Sequence, residues 1–577
     1  MKKFLATILA LLMMLSIVAA CNGDTPDTPD APPPVTGDDG GAPVEVPAPE
    51  GHDPRAFQPV PEGPWYTPFP YPVHFTVATH ANLAWNFLPG DDISNNPWTR
   101  LYQEKLNIYV EFEWAVIDDY ETRLNLAIAA GQLPDVFHIP RAIDPRLFHQ
   151  LVEEGMLLDL TDAYRNYTSD RVRNFENLSP GTIDAFTVDG RIFGIPRYYY
   201  GEIDKPWHLW IRQDWYRAEG SPEIRTVEDL ENLARAFMQN HGAAYGIAVE
   251  DNMSWLLRSS PMFGAHVGPI WDNQYHWVRD ETGRIRPGIA MPEFRDALER
   301  WIYWAEEGII SRDFPTMGTW GGPADEDLHN GLVGIQFYWQ WWGYYYNTII
   351  PVQGPEAVFY PFHMPTVDAA DFPAKGESWW GNEGAIVASA DFQNPAALMK
   401  VISLLDHMIF SPDAGLTEED LWYFMEEGRE HTPSPSLKIF DPNADFLQLE
   451  HVLYAFETGD TSQLFTTGML FKYNESLSWI NDQVHTAFGP YSQLGFEGSA
   501  YARAAYLLDN DLIVRDILWG PPPPEFMDAG TPHDILMENL PLIILGIEPL
   551  EHWDWVLEQW YAHGGQIKED AMNLHWN

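Results

Sequence analysis

Three short segments of the first third of the chain are typical of β-strands, and in the first of them apolar and polar residues alternate. The segments are Val73–Val77, Ile108–Phe112 and Asp135–Ile139. Between them, apolar residues recur every three to four positions over Pro97–Leu106 and Tyr120–Ala130, which is the spacing of amphipathic helices. Strands and helices therefore follow each other in turn, and this order predicts an α/β region with a largely parallel sheet.

Four later segments also have helical spacing of apolar residues. They are Thr226–Gln239, Phe294–Glu307, Asn394–Phe410 and Trp553–His563. Thr226 followed by Asp229 is typical of a capping box, and Gly308 ends the second of these helices as a C-terminal cap. One face of the last helix is predicted to be core and carries Trp553, Val556, Leu557 and Trp560. An α/β pattern over roughly 510 residues indicates two lobes rather than one.

The first twenty residues combine a basic start with an apolar run, which is the pattern of a secretory signal peptide. Two lysines precede Phe4–Val18, a run too short to be an ordinary membrane span. The run ends in Ala19-Ala20-Cys21, which resembles a bacterial lipobox, where the Cys receives a lipid. We therefore expect residues 1–20 to be cleaved off and Cys21 to anchor the protein to the outer face of the cell membrane. The alternative is an ordinary secretory signal with an accidental Cys.

Residues 21–64 are predicted to form a disordered tether that begins at the lipid-bearing Cys. The segment is rich in Pro, Asp, Gly and Thr and has no apolar period. Such a composition buries too little apolar surface to fold, and proline together with like charges extends the chain. No later stretch reaches the ~18 consecutive apolar residues of a membrane span, so no transmembrane helix is expected in the mature chain.

The charge balance and the cysteine count exclude several classes of protein. The chain has 577 residues, of which 84 are Asp or Glu and 33 are Lys or Arg, so its formal net charge is −51. Phosphates would be repelled over most of such a surface, which argues against nucleic-acid binding. The single Cys excludes a disulfide framework and any zinc site with two or more thiolates. The hydrophobic fraction of 45% is too high for a mostly disordered chain.

Sequence motifs of familiar enzymes and cofactor sites are absent. There is no His-Glu-x-x-His pattern, no Gly-x-Ser-x-Gly elbow, no phosphate-binding loop and no Gly-x-Gly-x-x-Gly. The 19 histidines show no metal-ligand spacing, so neither a metal nor a cofactor is expected. A glycosidase needs two carboxylates at the scissile bond, but with 84 acidic residues the existence of such pairs carries no information.

A series of short segments carries a family resemblance. The segments are Ala129–Asp135, Glu154–Thr161, Asp189–Pro196, Trp210–Trp215, Thr226–Leu230, Trp304–Ile310, Gly331–Gly334 and Gly384–Ser389. In this order they resemble family 1 extracellular solute-binding proteins, the lipid-anchored receptors of ABC-type sugar importers. No single segment identifies the family, but the shared order of the segments over residues 71–410 does. Beyond residue 410 only the final helix continues the match, and the length is similar to that of the long, oligosaccharide-directed branch of the family.

The resemblance implies an α/β, two-lobed, periplasmic-binding-protein-like fold of type II. In that fold the ligand lies in a cleft between the lobes, and crossover strands join them. By resemblance the crossovers lie near Ile195–Pro206, near Glu377–Asn382 and within residues 410–440. The implied order is lobe 1 over 65–200, lobe 2 over 201–378, a return to lobe 1 over 379–430, and completion of lobe 2 over 431–577.

Three aromatic clusters at these crossovers and lobe edges are candidates for ligand contact. A sugar exposes C–H faces and hydroxyl edges, so its site needs flat aromatic rings and planar polar groups. The candidates are Tyr198, Tyr199 and Tyr200; Trp339, Trp341 and Trp342; and Trp379 and Trp380 with Asn382 and Glu383. The three tryptophans of the second cluster cannot all be buried on one strand face, so at least one is expected in the cleft. By resemblance, Trp339 or Trp341 matches the aromatic that the family places against a sugar. The alternative for each cluster is packing in the core or hinge.

Polar candidates follow the first and third strands, because ligands of open α/β sheets bind beyond the carboxyl ends of strands. They are His80, Asn82 and Trp85 after the first strand and Arg141 after the third. Asp135 is expected instead to bind local backbone groups, and Arg212 with Asp214 to form a structural pair.

The function implied by the resemblance is the capture of a carbohydrate, and more specifically an oligosaccharide, without catalysis. Such a protein is a monomer that delivers its ligand to the permease subunits of an ABC transporter. Two alternatives stay open: a cell-surface glycan-processing enzyme or lectin-like adhesin, and a receptor for a peptide or another polar solute. The residues themselves indicate only an aromatic, polar cleft. The acidic surface is expected to serve solubility and environment rather than ligand choice.

Overall fold

The computed structural model describes most of the chain after residue 50. The described residues are 51–80, 90–116, 119–140, 146–198, 201–268, 275–318, 323–414, 425–426, 429–430, 437–520, 522–530 and 532–576. Within these ranges, no helix has both the length and the apolar composition that a membrane span requires.

Strands and helices are numbered in chain order. The strands are β1 (Val73–His80), β2 (Ile108–Val116), β3 (Val136–Ile139), β4 (Thr187–Val188), β5 (Arg191–Ile192), β6 (Gly194–Tyr198), β7 (His208–Arg212), β8 (Trp277–Arg279), β9 (Ile285–Pro287), β10 (Ile335–Tyr338), β11 (Phe359–Phe362), β12 (Gly376–Ser378), β13 (Asn382–Ala388), β14 (Met425–Glu426), β15 (Arg429–Glu430) and β16 (Ile513–Arg515). The α-helices are α1 (Pro97–Leu106), α2 (Tyr120–Ala130), α3 (Arg146–Glu153), α4 (Thr161–Tyr167), α5 (Asp170–Leu178), α6 (Gln213–Ala218), α7 (Val227–Asn240), α8 (Ser254–Leu257), α9 (Pro292–Glu306), α10 (Pro323–His329), α11 (Tyr346–Gln353), α12 (Pro395–Phe410), α13 (Ala444–Thr458), α14 (Thr467–Asp482), α15 (Phe488–Leu494), α16 (Ala500–Asp509), α17 (Pro524–Asp528), α18 (His533–Ile544), α19 (His552–Trp560) and α20 (Gln566–His575).

Lobe 1 is built on a five-stranded sheet in the order β2-β1-β3-β13-β6. β1 pairs in parallel with β2 and with β3, as strands joined through helices do. β13 comes from a later part of the chain and pairs antiparallel with both β3 and β6. Because β13 is reversed relative to both neighbours, the other four strands run in one direction. The sheet is therefore largely parallel, as predicted, and β13 is its antiparallel strand.

Side-chain alternation along these strands produces two cores, one on each face of the sheet. Val136 and Ile386 pack in the core that α12 covers. Their neighbours Phe137 and Val387 pack in the other core, with side chains of α2 and α3. Successive residues of a strand point to opposite faces, so a sheet that is covered on both faces needs nearly continuous apolar strands.

Lobe 2 is built around a three-stranded antiparallel sheet in the order β10-β7-β11. All five residues of β7 are buried, and its Trp210 belongs to one apolar core with Trp301 and Trp304 of α9. The C-terminal helices complete this core. The predicted core face of α19 is buried at Trp553, Val556 and Trp560 and half-buried at Leu557.

A helical part, α13–α16, has an apolar core of its own. Leu449, Val452 and Met469 pack there around Ile203, a residue of the segment between β6 and β7. The helical part therefore supports the chain at the point where it passes from one lobe to the other.

Crossovers join the lobes at three places in the described chain. The first lies between β6 and β7, where residues 201–207 are described. The second, residues 379–381, lies between β12 and β13. The third lies between Ile439, which packs in the core of lobe 1, and α13. The chain thus still contributes to lobe 1 at Leu437 and Ile439, beyond the boundary at residue 430 that was expected from the sequence.

The predicted helices form for the local reasons that their sequences indicate. α1 and α2 have the predicted bounds, and α1 is capped by Asn96, whose side chain accepts from the N–H groups of Trp98 and Thr99. α7 begins with the predicted capping box, because Thr226 and Asp229 each accept the other's backbone N–H. These contacts satisfy N–H groups that the first turn of a helix leaves without partners.

Two other polar predictions concern structural contacts. The Arg212–Asp214 pair is as predicted, whereas Asp135, which was expected to bind local backbone groups, binds a backbone N–H that lies 59 residues away. Asp135 Oδ2 accepts the backbone N–H of Thr76 over 2.8 Å, which ties β3 to β1. Arg212 donates to both carboxylate oxygens of Asp214, each over 2.7 Å. Both aspartates therefore stabilise the fold through hydrogen bonds.

The prediction of a disordered tether as far as residue 64 is wrong, because residues 51–64 pack against lobe 1. Gln58 is 7% exposed, and its backbone N–H donates to Asn394 Oδ1 over 2.8 Å. The Gln58 side-chain amide donates in turn to the Asp53 carbonyl over 3.0 Å. Composition did not show this packing, since it depends on single polar side chains that satisfy backbone groups from distant parts of the chain.

Candidate ligand-binding site

The ends of four strands of lobe 1 meet at one edge of its sheet. β1 ends at His80, β3 at Ile139 and β6 at Tyr198, while the reversed strand β13 begins at Asn382. This edge is the carboxyl edge of the parallel strands, and the first two crossovers begin or end there. Ligands of open α/β sheets bind outside this edge.

Two histidines and an arginine form the polar part of this region, and we call His80, His138 and Arg197 the lobe 1 edge. The ring centroids of the two histidines are 6.4 Å apart. Arg197 Nη1 lies 3.3 Å from His138 Nε2, and the same ring nitrogen lies 3.1 Å from the carbonyl oxygen of Glu383. The hydroxyl of Tyr120 donates to the His138 carbonyl over 2.7 Å. Groups from β1, β3, β6, β13 and α2 therefore hold one another in place.

Burial and Arg197 keep both imidazoles neutral near pH 7. Burial lowers the pKa of His138 well below its ordinary value, and the Arg197 charge lowers it further. The same two causes lower the pKa of His80, while Glu383 raises it by a smaller amount. His138 is 3% exposed and bonded within the fold, so a ligand can reach only His80 and Arg197 of these three residues, which are half-buried. A neutral imidazole both donates and accepts hydrogen bonds, so His80 suits hydroxyl groups beside one permanent positive charge.

Arg197 also connects the first crossover to the third. Its Nε donates to the carbonyl oxygen of Lys438 over 3.3 Å. The Phe440 ring lies near two cations, with Arg197 Cζ 5.1 Å and Lys438 Nζ 5.0 Å from its centroid. Cation–π attraction of this kind stabilises the position of the guanidinium beside the crossovers.

Aromatic rings form the corresponding part of lobe 2. β10 ends at Tyr338, and the 3₁₀ turn Gln340–Tyr345 follows. Trp339 and Trp341 are half-buried, with ring centroids 5.8 Å apart and planes tilted by 35°. We call these two residues the aromatic platform. A half-buried indole keeps an apolar face that can stack on the C–H face of a sugar.

The platform is connected to the crossovers through further aromatic contacts. Trp339 lies 5.2 Å from Trp207, the last residue before β7. The guanidinium of Arg258 lies 5.3 Å from the Trp207 ring and 4.7 Å from the ring of Trp379, which begins the second crossover. The platform therefore lies beside the first and second crossovers.

A buried ion pair supports this row of rings. Arg258 Nη1 donates to Glu377 Oε2 over 2.8 Å, and the Gly268 N–H donates to the other carboxylate oxygen over 3.1 Å. Burial by itself would raise the pKa of Glu377, but Arg258, His276 and His266 lower it below its ordinary value. Burial lowers the pKa of His276 to about 4, although Glu377 opposes this shift. The carboxylate is thus charged and balances the buried guanidinium.

Trp342 and Tyr198, two of the predicted site residues, are buried in the cores of the lobes. Trp342 is 3% exposed, and its ring centroid lies 4.5 Å from that of Tyr338. Trp342 does not lie on a strand face, because the strand ends at Tyr338 and the 3₁₀ turn directs the Trp342 ring into the core. Tyr198 is 1% exposed and packs edge-on against Phe175. Alternation along β6 places Tyr198 on the face opposite to Arg197.

Trp379 in the second crossover and Asn382 at the start of β13 are also buried. Trp379 is 4% exposed beneath Arg258. Asn382 is 7% exposed, and its Oδ1 accepts the Gly384 N–H over 2.7 Å, where the register of β13 against β6 shifts. Both side chains therefore shape the hinge instead of lining an open surface.

The remaining predicted residues divide into partly exposed ones and ones outside the described chain. Trp380 is half-buried, and its Nε1 donates to Thr182 Oγ1 over 3.3 Å. The other predicted residues with partial exposure are His80, Trp339, Trp341 and Glu383. The predicted residues outside the described ranges are Asn82, Trp85, Arg141, Tyr199 and Tyr200, together with the lipidation candidate Cys21.

Sequence reasoning missed three residues that are central to this geometry. Arg197 directly precedes the tyrosine cluster, so the sequence already indicated a position beside a crossover, but Arg197 was not among the predicted site residues. His138 lies inside an apolar strand and gave no signal of its own. Trp207 stands alone between Pro206 and β7, and only its packing against Trp339 indicates a role.

The groups gathered here can bind a ligand through several kinds of contact. Among the described residues, no three His, Cys, Asp or Glu side chains are placed to hold a metal ion. The groups present are aromatic faces, neutral imidazoles and a guanidinium. Together they can hold a ligand that has apolar faces and polar edges.

A family profile matches the chain. The profile described as "Bacterial extracellular solute-binding protein" matches residues 91–405, which is more than half of the chain.

Curated relatives are similar to a smaller part of the sequence. The polygalacturonan/rhamnogalacturonan-binding protein YtcQ of Bacillus subtilis is 24% identical over 238 residues, which are 40% of this chain and 44% of that protein. The fructooligosaccharide ABC transporter substrate-binding protein FusA of Streptococcus pneumoniae is 22% identical over 242 residues, again 40% of this chain and 44% of that protein. The chain thus spans less than half the length of these curated relatives.

The similarity to a solved structure extends over nearly the whole chain. An HMO-binding, ABC-transporter-associated solute-binding protein of Bifidobacterium longum infantis is 15% identical and has a TM-score of 0.56. The match covers 87% of this chain and 98% of that one. At this identity the similarity shows the fold alone, which is the two-lobed type II fold of periplasmic binding proteins.

Proposed function

Since the chain belongs to the bacterial extracellular solute-binding protein family, we propose that it binds a carbohydrate outside the cell and delivers it to the permease subunits of an ABC transporter. The observation that carries this proposal is the aromatic platform of Trp339 and Trp341, half-buried beside the crossovers. Its counterpart in lobe 1 is an edge of neutral imidazoles and one guanidinium.

Binding is non-covalent and uses the two lobes differently. Indole faces of lobe 2 stack on the C–H faces of sugar rings, which supplies contact area. His80 and Arg197 of the lobe 1 edge bind hydroxyl groups, with His138 behind them, and this fixes the orientation of the ligand. Closure of the lobes about the crossovers excludes water and presents the loaded form to the permease.

An oligosaccharide is a better fit to this site than a single sugar. The half-buried rings of Trp339, Trp341 and Tyr345 follow one another at centroid distances of 5.8 and 5.3 Å, so ring surface extends beyond a single side chain. The curated relatives named above support the same class, since their names specify polygalacturonan, rhamnogalacturonan and fructo-oligosaccharide.

We place the protein at the outer face of the cell membrane, held by a lipid on Cys21. The basic start, the apolar run and the small residues before this only Cys support the assignment. Mass spectrometry of protein extracted from its native membranes tests it: a diacylated N-terminal Cys is expected, and an unmodified chain cleaved elsewhere would contradict it.

Ligand capture without catalysis agrees with the groups at the site. A glycosidase requires two carboxyl groups on opposite sides of the scissile bond. The lobe 1 edge and the aromatic platform instead contribute imidazole, guanidinium and indole groups. We therefore expect every bound glycan to be recovered intact.

A thermal-shift screen of the purified mature protein tests the function. The panel contains fructo-oligosaccharides, malto-oligosaccharides, oligogalacturonides and, as the competing class, short peptides. A sugar that binds stabilises the folded state by mass action, so at least one oligosaccharide should raise the melting temperature. Stabilisation by peptides and by no sugar would reject carbohydrate binding, and product analysis that finds cleaved glycan would reject a purely binding role.

A further inference from the structure

A buried polar network lies directly beneath the aromatic platform. Gln340 stands between Trp339 and Trp341 in the chain, and its side chain is only 3% exposed. The two tryptophans are directed towards the surface of lobe 2, while the glutamine between them is directed inwards. The backbone that carries both indoles is therefore held at its middle by one amide side chain.

Both ends of the Gln340 amide are bonded to other parts of the chain. Its Nε2 donates to Asp204 Oδ1, and its Oε1 accepts from Gln493 Nε2. Asp204 belongs to the first crossover, and Gln493 belongs to α15. A side chain bonded at both ends in a buried place has a single orientation available.

The network extends to the helical part of lobe 2. Gln493 Oε1 accepts from Lys472 Nζ over 2.6 Å and from the hydroxyl of Tyr344 over 3.1 Å. The hydroxyl of Tyr501 lies 3.4 Å from Asp204 Oδ1. Tyr344 is itself part of the platform turn, so the turn is anchored at two positions to the same glutamine of α15.

Close packing supports the same arrangement independently of the hydrogen bonds. A Cβ atom added to Gly343 would lie 1.8 Å from Ser492 Oγ, and one added to Gly489 would lie 2.6 Å from the Tyr344 ring. The turn is thus pressed against α15 along its length. Support of this kind matters because short 3₁₀ segments have poorer backbone hydrogen-bond geometry than α-helices.

We propose that Gln340, held by Asp204 and Gln493, is a positioning residue that fixes the aromatic platform for sugar binding. The proposal rests on the function proposed above. Gln340 acts through the indoles and does not touch the sugar. Because Asp204 lies in the first crossover, the same bond joins the platform to the segment about which the lobes move.

The decisive experiment measures sugar affinity in a double-mutant cycle of Gln340→Met and Trp339→Ala. Isothermal titration uses the oligosaccharide of the screening panel that binds the unmodified protein most tightly. Gln340→Met keeps the volume but removes both hydrogen bonds, and it should weaken binding roughly tenfold, about 1.4 kcal/mol. In the Trp339→Ala background the same change should weaken binding less than about twofold, because the group it positions is gone.

Gln336→Met is the matched control. Gln336 lies on β10, is 0% exposed, and its side-chain amide has no hydrogen-bond partner among the described residues. Removing that amide should leave the affinity unchanged, although it alters an equally buried glutamine four residues away. Equal loss of affinity in Gln336→Met and Gln340→Met would mean that any disturbance of this core weakens binding, and would overturn the proposal.

Two further readouts keep the test decisive. Near-ultraviolet circular dichroism of the sugar-free protein should change with Gln340→Met and not with Gln336→Met, since indole orientation determines that signal. If Gln340→Met does not fold, Tyr344→Phe removes only the second hydrogen bond between the platform turn and Gln493, and it should give the same pattern more weakly. Unchanged affinity in a folded Gln340→Met would overturn this inference alone, whereas an unmodified protein that binds no sugar would overturn the proposed function and this inference with it.

Discussion

The two sides of the candidate site are built in different ways. In lobe 1 the polar groups stand at or next to the ends of regular strands, so the sheet itself brings His80, His138 and Arg197 together. In lobe 2 the aromatic platform stands on a 3₁₀ turn that a network of buried amides holds against a helix. A strand end is placed by backbone pairing, while a turn is placed by side chains. The lobe 1 edge should therefore tolerate changes in its surroundings better than the platform does.

The lobes also differ in the charges beside their buried histidines. The pKa values of His80 and His138 are lowered by burial and by the neighbouring Arg197. The pKa values of His266 and His276 are lowered by burial, while the neighbouring Glu377 raises them. In lobe 1 the Arg197 charge lowers the histidine pKa values, as burial does. In lobe 2 the Glu377 charge raises the histidine pKa values, against the effect of burial. The first arrangement places Arg197 beside two neutral imidazoles, whereas in the second the Glu377 carboxylate neutralises Arg258.

The largest expected effect tests the platform. Trp339→Ala should weaken binding of the best oligosaccharide by about 2 kcal/mol, roughly 30-fold, because truncation of a stacking tryptophan removes a large contact area. Isothermal titration measures the change. Trp555→Ala is the control, since Trp555 is 47% exposed on α19 and belongs to the C-terminal helices. Unchanged affinity in Trp339→Ala and also in Trp341→Ala would reject the platform.

The next effect tests the lobe 1 edge. Arg197→Gln should weaken sugar binding roughly tenfold, because a charged donor is lost from the site. The same change should raise the pKa of His80, since Arg197 lowers it together with burial. Histidine resonances followed by NMR during a pH titration measure that shift. Arg295→Gln removes the 2.8 Å surface pair with Asp554 and serves as the control. If Arg197→Gln retained full affinity, the lobe 1 edge would have no part in binding.

A smaller effect concerns stability at acid pH. The pKa of His276 falls to about 4 in the folded state from an ordinary value of 6.5. Between these values the unfolded chain binds a proton that the folded protein does not, so stability is complete above pH 6.5 and falls towards pH 4. His276→Gln should reduce the slope of unfolding free energy against pH by about 1.4 kcal/mol per pH unit within this window. Urea unfolding at a series of pH values measures the slope, with His485→Gln as an exposed control. An identical slope in His276→Gln would contradict the assignment.

The smallest effect concerns the acidic surface as a whole. With a formal charge of −51, the folded protein should gain stability when salt screens the repulsion between carboxylates. We expect the melting temperature to rise by a few degrees between about 0.05 and 0.5 M sodium chloride. A melting temperature that is constant or falls over this range would show that repulsion does not limit stability. The affinity of the platform for sugar should change little, since stacking involves no net charge.

Much of the fold of lobe 1 could be predicted, because its elements are specified locally. The bounds of α1 and α2 follow from apolar spacing and caps, and the direction of β1, β2 and β3 follows from the helices between them. The reversed strand β13 could not be derived in this way. It pairs with β3 across about 250 residues of chain, and its partner depends on the packing of lobe 2 in between.

The candidate site was only partly predictable, and the misses have one physical cause. Which aromatic residues are exposed depends on where a strand ends, and the change from β10 to a 3₁₀ turn buries Trp342 while leaving Trp339 and Trp341 half-buried. Arg197 and Tyr198 are adjacent in the chain, yet alternation on β6 places one beside the crossovers and the other in the core. The positions of aromatic residues in the sequence therefore do not show which of their rings are exposed.

The sequence by itself determined the family resemblance and the order of the first three strands and the helices between them, and it predicts the signal before Cys21 and an aromatic, polar site. These properties depend on residues that are close in the chain, where spacing and composition act directly. Only the tertiary structure decided that His138 and Arg197 meet, that Trp207 continues the row of rings, and that Gln340 is held from two sides. Each of these contacts joins residues far apart in sequence, and such contacts form only after the lobes have packed.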